Sequence, residues 1–199
     1  MKGVVSFPTL IGISGKMGAG KDTLANRLIT FLTRECVRPP AGGVAHLKFA
    51  MRLKKVVSLV TGTTVDDNLH HKEKTVALFG NKTLGQLQQE IGTSFRTIYH
   101  PNVWVDPVIQ DARKHCREGA VSIISDVRFP NEADAIREAG GMVIRLECAA
   151  EPLDGRDSAH ISETALDDYA RFDVVIFNKK DGADNLLEAV LEALAGQSK

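Results

Sequence analysis

Cysteine is scarce in this chain, and what there is does not pair. Cys36, Cys116 and Cys148 form no C-x-x-C unit, so neither a disulfide framework nor a zinc site is indicated, and a reducing cytoplasm is the expected setting. Long apolar runs are missing as well: none approaches the roughly twenty residues that cross a bilayer, which argues against membrane insertion. The opening Met-Lys-Gly-Val-Val-Ser-Phe-Pro has too short an apolar stretch for a secretory signal. Net charge is absent, with 25 basic residues against 25 acidic ones. That balance removes the broad attraction on which nucleic-acid binders rely, so any affinity for anions must come from local clusters. There is no internal repeat and no low-complexity tract. What remains, 43% hydrophobic and 25% charged over 199 residues, is ordinary for a globular chain. It suffices for one good-sized core, and a second independent domain would be cramped, so residues 1–199 are expected to form one domain with small insertions.

Against this plain background one stretch stands out. Leu10 to Ser14 reads as a short buried strand, the chain then turns through Gly15-Lys16-Met17-Gly18-Ala19-Gly20-Lys21, and Leu24, Leu28, Ile29 and Leu32 recur at helical spacing. Gly15, Gly20 and Lys21 fit G-x-x-x-x-G-K, with Gly18 a further glycine inside the turn. In that motif glycines let backbone N–H groups approach phosphate oxygens while the lysine ammonium reaches the β/γ-phosphates, and the following helix adds the positive end of its dipole. A short motif earns a functional reading only in its structural context, and strand, loop and helix are all in place here. One position departs from the pattern. Asp22 follows Lys21 where Ser or Thr is expected, and Thr23 comes one place later.

Further along, Val44 to Phe49 reads as the next strand, leading into a helix with Leu53, Val56, Val57 and Val60 on its apolar face. Arg52, Lys54 and Lys55 on that helix are read from position alone as its solvated side. Thr61 to Lys82 shows no sustained period and is expected to be a loop with a short helix; the adjacent His70 and His71 point apart and have no third partner at ligand spacing. Thr83 to Ile98 reads as a helix ending near Arg96, and Val103 to Arg117 as another, containing Trp104, the only tryptophan, which general burial habits place in a core or at its rim. Ala120 to Asp126 is a β-rich apolar run closing on aspartate, the arrangement in which a carboxylate at a strand's carboxyl end orients Mg²⁺ beside a phosphate loop. Val127-Arg128-Phe129-Pro130-Asn131-Glu132 then opens the next helix, which puts Arg128 at the carboxyl edge of the sheet. Met142 to Glu147 and Phe172 to Phe177 supply two more strands, and Ala183 to Leu194 the last helix. The alternation implies an α/β fold, a five-stranded parallel sheet with helices on both faces.

A phosphate loop alone does not separate a kinase from an ATPase or a GTPase. Asn178-Lys179-Lys180-Asp181 has N-K-x-D order after a strand, as a guanine-reading motif would, and keeps a GTPase-like switch open. Against it stand Asp22 directly after Lys21 and the absence of glycine from Asp126-Val127-Arg128-Phe129, where a D-x-x-G switch would need one. Arg52, Arg96, Arg128 and Arg156 lie in four different post-strand or helix-end segments. Such a set suits transfer between two phosphates, which gathers negative charge and is catalysed by alignment and charge compensation.

The loop Gly-Lys-Met-Gly-Ala-Gly-Lys-Asp-Thr, then Phe49-Ala50-Met51-Arg52-Leu53-Lys54, then Leu87 to Arg96 with Trp104, then Ser125-Asp126-Val127-Arg128-Phe129-Pro130-Asn131-Glu132 and His160-Ile161-Ser162-Glu163 together resemble the phage-type deoxynucleoside monophosphate kinases. The likeness spans residues 10 to 178, and the Asp-Val-Arg-Phe-Pro-Asn-Glu block is its most specific part. It implies a phosphate-loop kinase fold of three α/β/α layers, with acceptor-binding helices inserted at 50–118 and a lid at 148–168. It implies ATP and Mg²⁺ as cofactors and a deoxynucleoside monophosphate as acceptor, in the cytoplasm, or the host cytoplasm for a phage protein. A homodimer stays open. By the same resemblance Gly15, Lys16, Gly18, Ala19, Gly20, Lys21, Asp22 and Thr23 hold ATP, with Thr23 near the α-phosphate. Arg52, Arg96, Trp104, Arg128 and Glu132 serve the acceptor, Asp126 positions Mg²⁺, and Arg156 closes over the transferring phosphate. Kinases of other small acceptors, of the dephospho-coenzyme A or phosphomevalonate type, share the loop and the sheet and remain the alternative.

Overall fold

The structure, a computed structural model, describes residues 8–148, 164–179 and 182–197. They divide into two compact units, one formed by residues up to Leu47 and from Ile109 onward, the other by Lys48–Val108.

The first unit is built on five parallel strands: β1 (Leu10–Gly15), β2 (Val44–Leu47), β5 (Val121–Val127), β6 (Met142–Glu147) and β7 (Val174–Phe177), in the spatial order β2-β5-β1-β6-β7. Side chains alternate across a strand, so Ile11 and Ile13 point to one face of β1 and Gly12 to the other. On the first face Ile11, Ile13, Ile123, Ile144 and Leu146 pack with Leu24, Leu28 and Leu32 from helix α1 (Lys21–Thr30) and the turn after it, and with Leu186, Leu187, Val190 and Leu194 from helix α7 (Ala183–Gln197). On the opposite face helix α6 (Pro130–Glu138) comes so close that a Cβ on Gly12 would lie 2.6 Å from Ile136 Cδ1. Any larger residue there would push the Ile136 side chain aside. The result is the expected three layers, with β1 central and its carboxyl end flanked by β5 and β6, the place where open α/β sheets bind ligands.

Two departures from the expected elements have local causes. Helix α1 gives way at Phe31 to a single π-helical turn, Phe31–Glu35, which carries the chain to Cys36. Between Gly12 and Ser14 the register of β1 against β5 slips, Gly12 facing Ile124 but Ser14 facing Val127, so Ser125 and Asp126 together oppose Ile13. This is a β-bulge, which re-aims side chains at the point where a strand leaves its ladder.

The second unit holds helices α2 (Phe49–Thr61), α3 (Val65–His70) and α4 (Leu84–Ile98) and the first residues of α5 (Asp106–Arg117). Within Thr61 to Lys82, read as a loop with a short helix, the helix is α3, and a two-stranded hairpin of β3 (Thr75–Val76) and β4 (Lys82–Thr83) accompanies it. Its paired stretches are two residues each, too short for an alternation pattern to register. Both α3 and α4 start with capping boxes: Thr64 and Asp67, then Thr83 and Gln86, satisfy each other's backbone N–H groups. The Thr64 N–H, then Lys74, hold the Asp67 carboxyl down at about 2. The core is Val57, Val76, Leu84 and Leu87, and beneath it runs a buried polar net. Asn68, 0% exposed, donates Nδ2 to Ser58 Oγ at 2.9 Å and Thr63 Oγ1 at 3.0 Å, and receives Gln88 Nε2 at 2.9 Å on Oδ1. Removing the Asn68 side chain takes the Nδ2 donor from Ser58, while Gln88 keeps the Asn68 carbonyl at 2.9 Å and Thr63 keeps Thr61 at 2.8 Å; a buried group left short of a partner costs more than the bond itself.

Asn68→Ala is therefore expected to lower stability by about 1–3 kcal/mol, read from the urea midpoint at unchanged slope. A loss under about 0.5 kcal/mol, the scatter of neutral surface changes, would contradict the role given to this net.

Candidate active site

Between β1 and α1 the backbone turns through Gly18 and Gly20, both at positive φ, 76° and 94°. The ammonium of Lys21 folds back over this turn and donates to the carbonyls of Gly15 at 2.6 Å and Lys16 at 2.8 Å. Phosphate oxygens arriving in the turn offer the same donors a charged acceptor, a stronger partner than a neutral carbonyl. Thr23 lies exposed in the first turn of α1.

The turn is braced from two later strands. From the end of β7, Asn178 donates Nδ2 to the carbonyl of Ala19 at 2.9 Å, while its own N–H continues the ladder to Glu147 O at 2.6 Å. A Cβ on Gly20 would lie 2.6 Å from that Nδ2, so the brace requires glycine there twice over, by space and by φ. From β6, Arg145 is buried at 7% exposure and donates to Ser14 Oγ at 3.2 Å and to Asp167 Oδ1 at 3.3 Å, its guanidinium lying 5.5 Å from the ring centroid of Phe172. The other oxygen of Asp167 accepts from Lys16 Nζ at 2.9 Å. One carboxylate thus ties a buried cation to a cation of the turn itself. Residues 164–172, which carry Asp167, are held in turn by Asp134 on α6, which accepts from Tyr169 Oη at 2.7 Å and Arg171 at 2.6 Å. Burial first, then this hydrogen bond, pushes the Tyr169 hydroxyl up to about 12.

The bulge of β5 faces the same turn. Ser125 Oγ donates to Asp22 Oδ1 at 3.1 Å, and Asp126, half-buried, follows at the end of the strand. Asp22, held by the Ser125 hydroxyl, and Asp126, the next residue of β5, carry the carboxylate oxygens that suit Mg²⁺, which takes one or two carboxylates with the remaining positions filled by phosphate and water. Arg128 is half-buried just beyond.

Of the residues read from the sequence as site candidates, Gly15 to Thr23, Asp126, Arg128 and Glu132 all lie in the first unit, at the carboxyl ends of β1 and β5 or directly after them. Glu132 is 3% exposed and its Oε2 accepts from the backbone N–H of Arg128 at 2.7 Å and of Phe129 at 3.1 Å. That oxygen of its carboxylate therefore shapes the backbone at Arg128 and Phe129. Arg52, Arg96 and Trp104 belong to the second unit. Arg52 reaches the carbonyl of Pro107 at 3.4 Å, and Arg96 is half-buried near the end of α4. Trp104 is 4% exposed, stacks on Phe95 with centroids 5.3 Å apart and spends its indole N–H on Gly92 O at 3.1 Å. It packs against the end of α4. Arg156, most of the lid expected at 148–168, the His160 to Glu163 block and the Lys180-Asp181 end of the N-K-x-D string lie outside the described residues.

Arg145, Asp167 and His46 were not singled out from the sequence, and Asn178 and Ser125 were read there only as the first residue of the N-K-x-D string and as part of the block carrying the resemblance. Arg145 left a trace as a charge inside the apolar run Met-Val-Ile-Arg-Leu.

No family model matches the chain. A protein of Acanthamoeba polyphaga mimivirus, provisionally named a deoxynucleotide monophosphate kinase, is 30% identical over 184 residues, covering 86% of this chain and 89% of that protein. A shikimate kinase from Bacteroides thetaiotaomicron of known structure aligns with a TM-score of 0.38 and 16% identity, over 91% of this chain and 97% of that one. Among the described residues no helix is long and apolar enough to cross a membrane.

If the Asn178 brace sets the shape of the turn, Asn178→Ala should weaken ATP binding on the order of tenfold, the worth of a hydrogen bond to a partly buried carbonyl, with the fold intact by circular dichroism. Titration calorimetry checks this, and unchanged affinity would contradict the brace.

Proposed function

The chain belongs to the deoxynucleotide monophosphate kinase family, and from that premise we propose that it transfers the γ-phosphoryl group of ATP to a deoxynucleoside monophosphate, giving ADP and the deoxynucleoside diphosphate. The observation that carries this reading is the phosphate turn at the end of β1 with a carboxylate on either flank, Asp22 in the first turn of α1, held by Ser125, and Asp126 at the end of β5.

In this reading the backbone of Gly15 to Gly20 and the Lys21 ammonium take the ATP phosphates, Lys21 exchanging its two carbonyl partners for the β/γ-phosphates and Thr23 serving the α-phosphate. Lys16 adds a second cation to the turn. Bound Mg²⁺ offsets phosphate charge, and Asp22 and Asp126 are the residues that would hold it. Arg128, with its backbone fixed by Glu132, aligns the acceptor phosphate and compensates charge that develops in transfer. Arg52 and Arg96, from the helices within 50–118, bind the acceptor, and Arg156 covers the transferring phosphate. Exclusion of water at that moment separates a kinase from a wasteful ATPase.

Against the GTPase-like alternative stand Asp22 directly after Lys21 and the missing glycine in Asp126-Val127-Arg128-Phe129. On the kinase reading ATP should outcompete GTP.

The test is a coupled assay of ADP release with ATP, Mg²⁺ and each deoxynucleoside monophosphate in turn, alongside dephospho-coenzyme A and phosphomevalonate. Turnover with at least one deoxynucleoside monophosphate is expected, and turnover only with another acceptor would overturn the assignment. Arg128→Ala should lower kcat by at least about a hundredfold, as removal of a transition-state charge partner does, at unchanged ATP affinity.

A further inference from the structure

Asp22 stands where phosphate loops ordinarily carry a hydroxyl that ligates the metal ion. A carboxylate there brings a negative charge next to the phosphates, and it is tolerable only if it addresses the cation and is kept off the phosphate oxygens. The structure contains a device suited to that. Ser125 is 1% exposed on the bulge of β5, and its hydroxyl lies between two side chains from other elements: Asp22 Oδ1 of α1 at 3.1 Å and His46 Nε2 of β2 at 2.8 Å. A serine hydroxyl has one proton to give. An ionised carboxylate only accepts, so the proton goes to Asp22, and His46 must then offer its Nε2–H to the serine oxygen. The chain of bonds runs one way, His46 to Ser125 to Asp22, and each bond polarises the next.

We infer that Ser125 and His46 are positioning residues for Asp22, which they hold as an oxygen ligand for the divalent cation that accompanies the ATP phosphates. This rests on the kinase reading for the nucleotide, but not on the identity of the acceptor. The bulge is part of the device, because it puts Ser125 and Asp126 together opposite a single residue of β1, Ile13. His46 sits on the outermost strand of the sheet, so the chain begins at an exposed side chain and ends at the phosphate turn. Partners that orient a ligating carboxylate are typically worth about ten- to a hundredfold in metal affinity.

The experiment measures Mn²⁺ binding to the full chain in the presence of ADP by electron paramagnetic resonance, and ADP binding without metal by calorimetry. Ser125→Ala is expected to weaken Mn²⁺ on the order of tenfold or more, with metal-free ADP affinity within about twofold of wild type, and Ser125→Thr to restore the metal affinity. His46→Ala, at an exposed position that does not threaten folding, should weaken Mn²⁺ several-fold in the same direction. Wild-type Mn²⁺ affinity in both Ser125→Ala and His46→Ala would overturn the inference. So would an equal loss of ADP binding with and without metal, which would mark general damage to the turn, or a loss that Ser125→Thr leaves unrepaired. A wild-type chain that binds Mn²⁺ with ADP yet turns over no deoxynucleoside monophosphate would remove the proposed reaction and leave the positioning chain standing.

Discussion

The contact between Gly20 and Asn178 constrains everything around it. The backbone at Gly20 runs at φ 94°, and the space where any other residue would place its Cβ is filled by an amide that holds the neighbouring carbonyl. Because Asn178 also continues the β6–β7 ladder through Glu147 O, the shape of the turn after β1 is set by the last strand of the sheet. Arg145 does the corresponding work from β6, gripping Ser14 before the turn and, through Asp167, Lys16 inside it. A loop made of glycine for close approach to phosphate has little conformational preference of its own. Its order is borrowed from neighbours that carry side chains.

Charge is arranged on the same plan. The chain as a whole is neutral, with 25 basic and 25 acidic residues, yet around the phosphate turn Lys16 and the buried Arg145 meet at Asp167, Lys21 folds over the turn, and Asp22 is held by Ser125 of β5 next to Asp126. Cations suit the phosphates, and carboxylates suit the ion that travels with them. Chemistry that joins two anions needs both, and separation of the two signs matters as much as their number. Asp167 fits this economy as a temporary partner that keeps Lys16 and Arg145 compensated, and Ser125 as the donor that steers Asp22.

The legible parts of the sequence were those whose signal is local. Gly15, Gly20 and Lys21 fall within seven residues, and β1 and α1 flank them with clear periods, so the turn and its phosphate chemistry could be read directly. The parallel sheet followed from alternation, and Asp126 and Arg128 from their place at a strand end. The braces were out of reach because their partners are remote: 159 residues separate Asn178 from Ala19, and 151 separate Asp167 from Lys16. Asn178 was even visible for another reason, as the first letter of an N-K-x-D string, and folding gives its amide a different task. Trp104 and Glu132 show partners just as remote from any sequence pattern, the indole N–H bonding Gly92 O and Glu132 Oε2 accepting from two backbone N–H groups. Asp22 read as a departure from the motif that the resemblance to monophosphate kinases accounts for, and folding adds its partner Ser125.

The central claim is that a phosphate held in this turn leaves ATP for a second phosphate and not for water. Phosphorus NMR of the full chain with ATP, Mg²⁺ and a mixture of deoxynucleoside monophosphates tests it directly. The account predicts that the γ-phosphorus signal of ATP decays as the β-phosphorus signal of a deoxynucleoside diphosphate grows in equal amount, with inorganic phosphate staying near background. Decay of ATP into inorganic phosphate alone, at a rate indifferent to the added monophosphates, would contradict it.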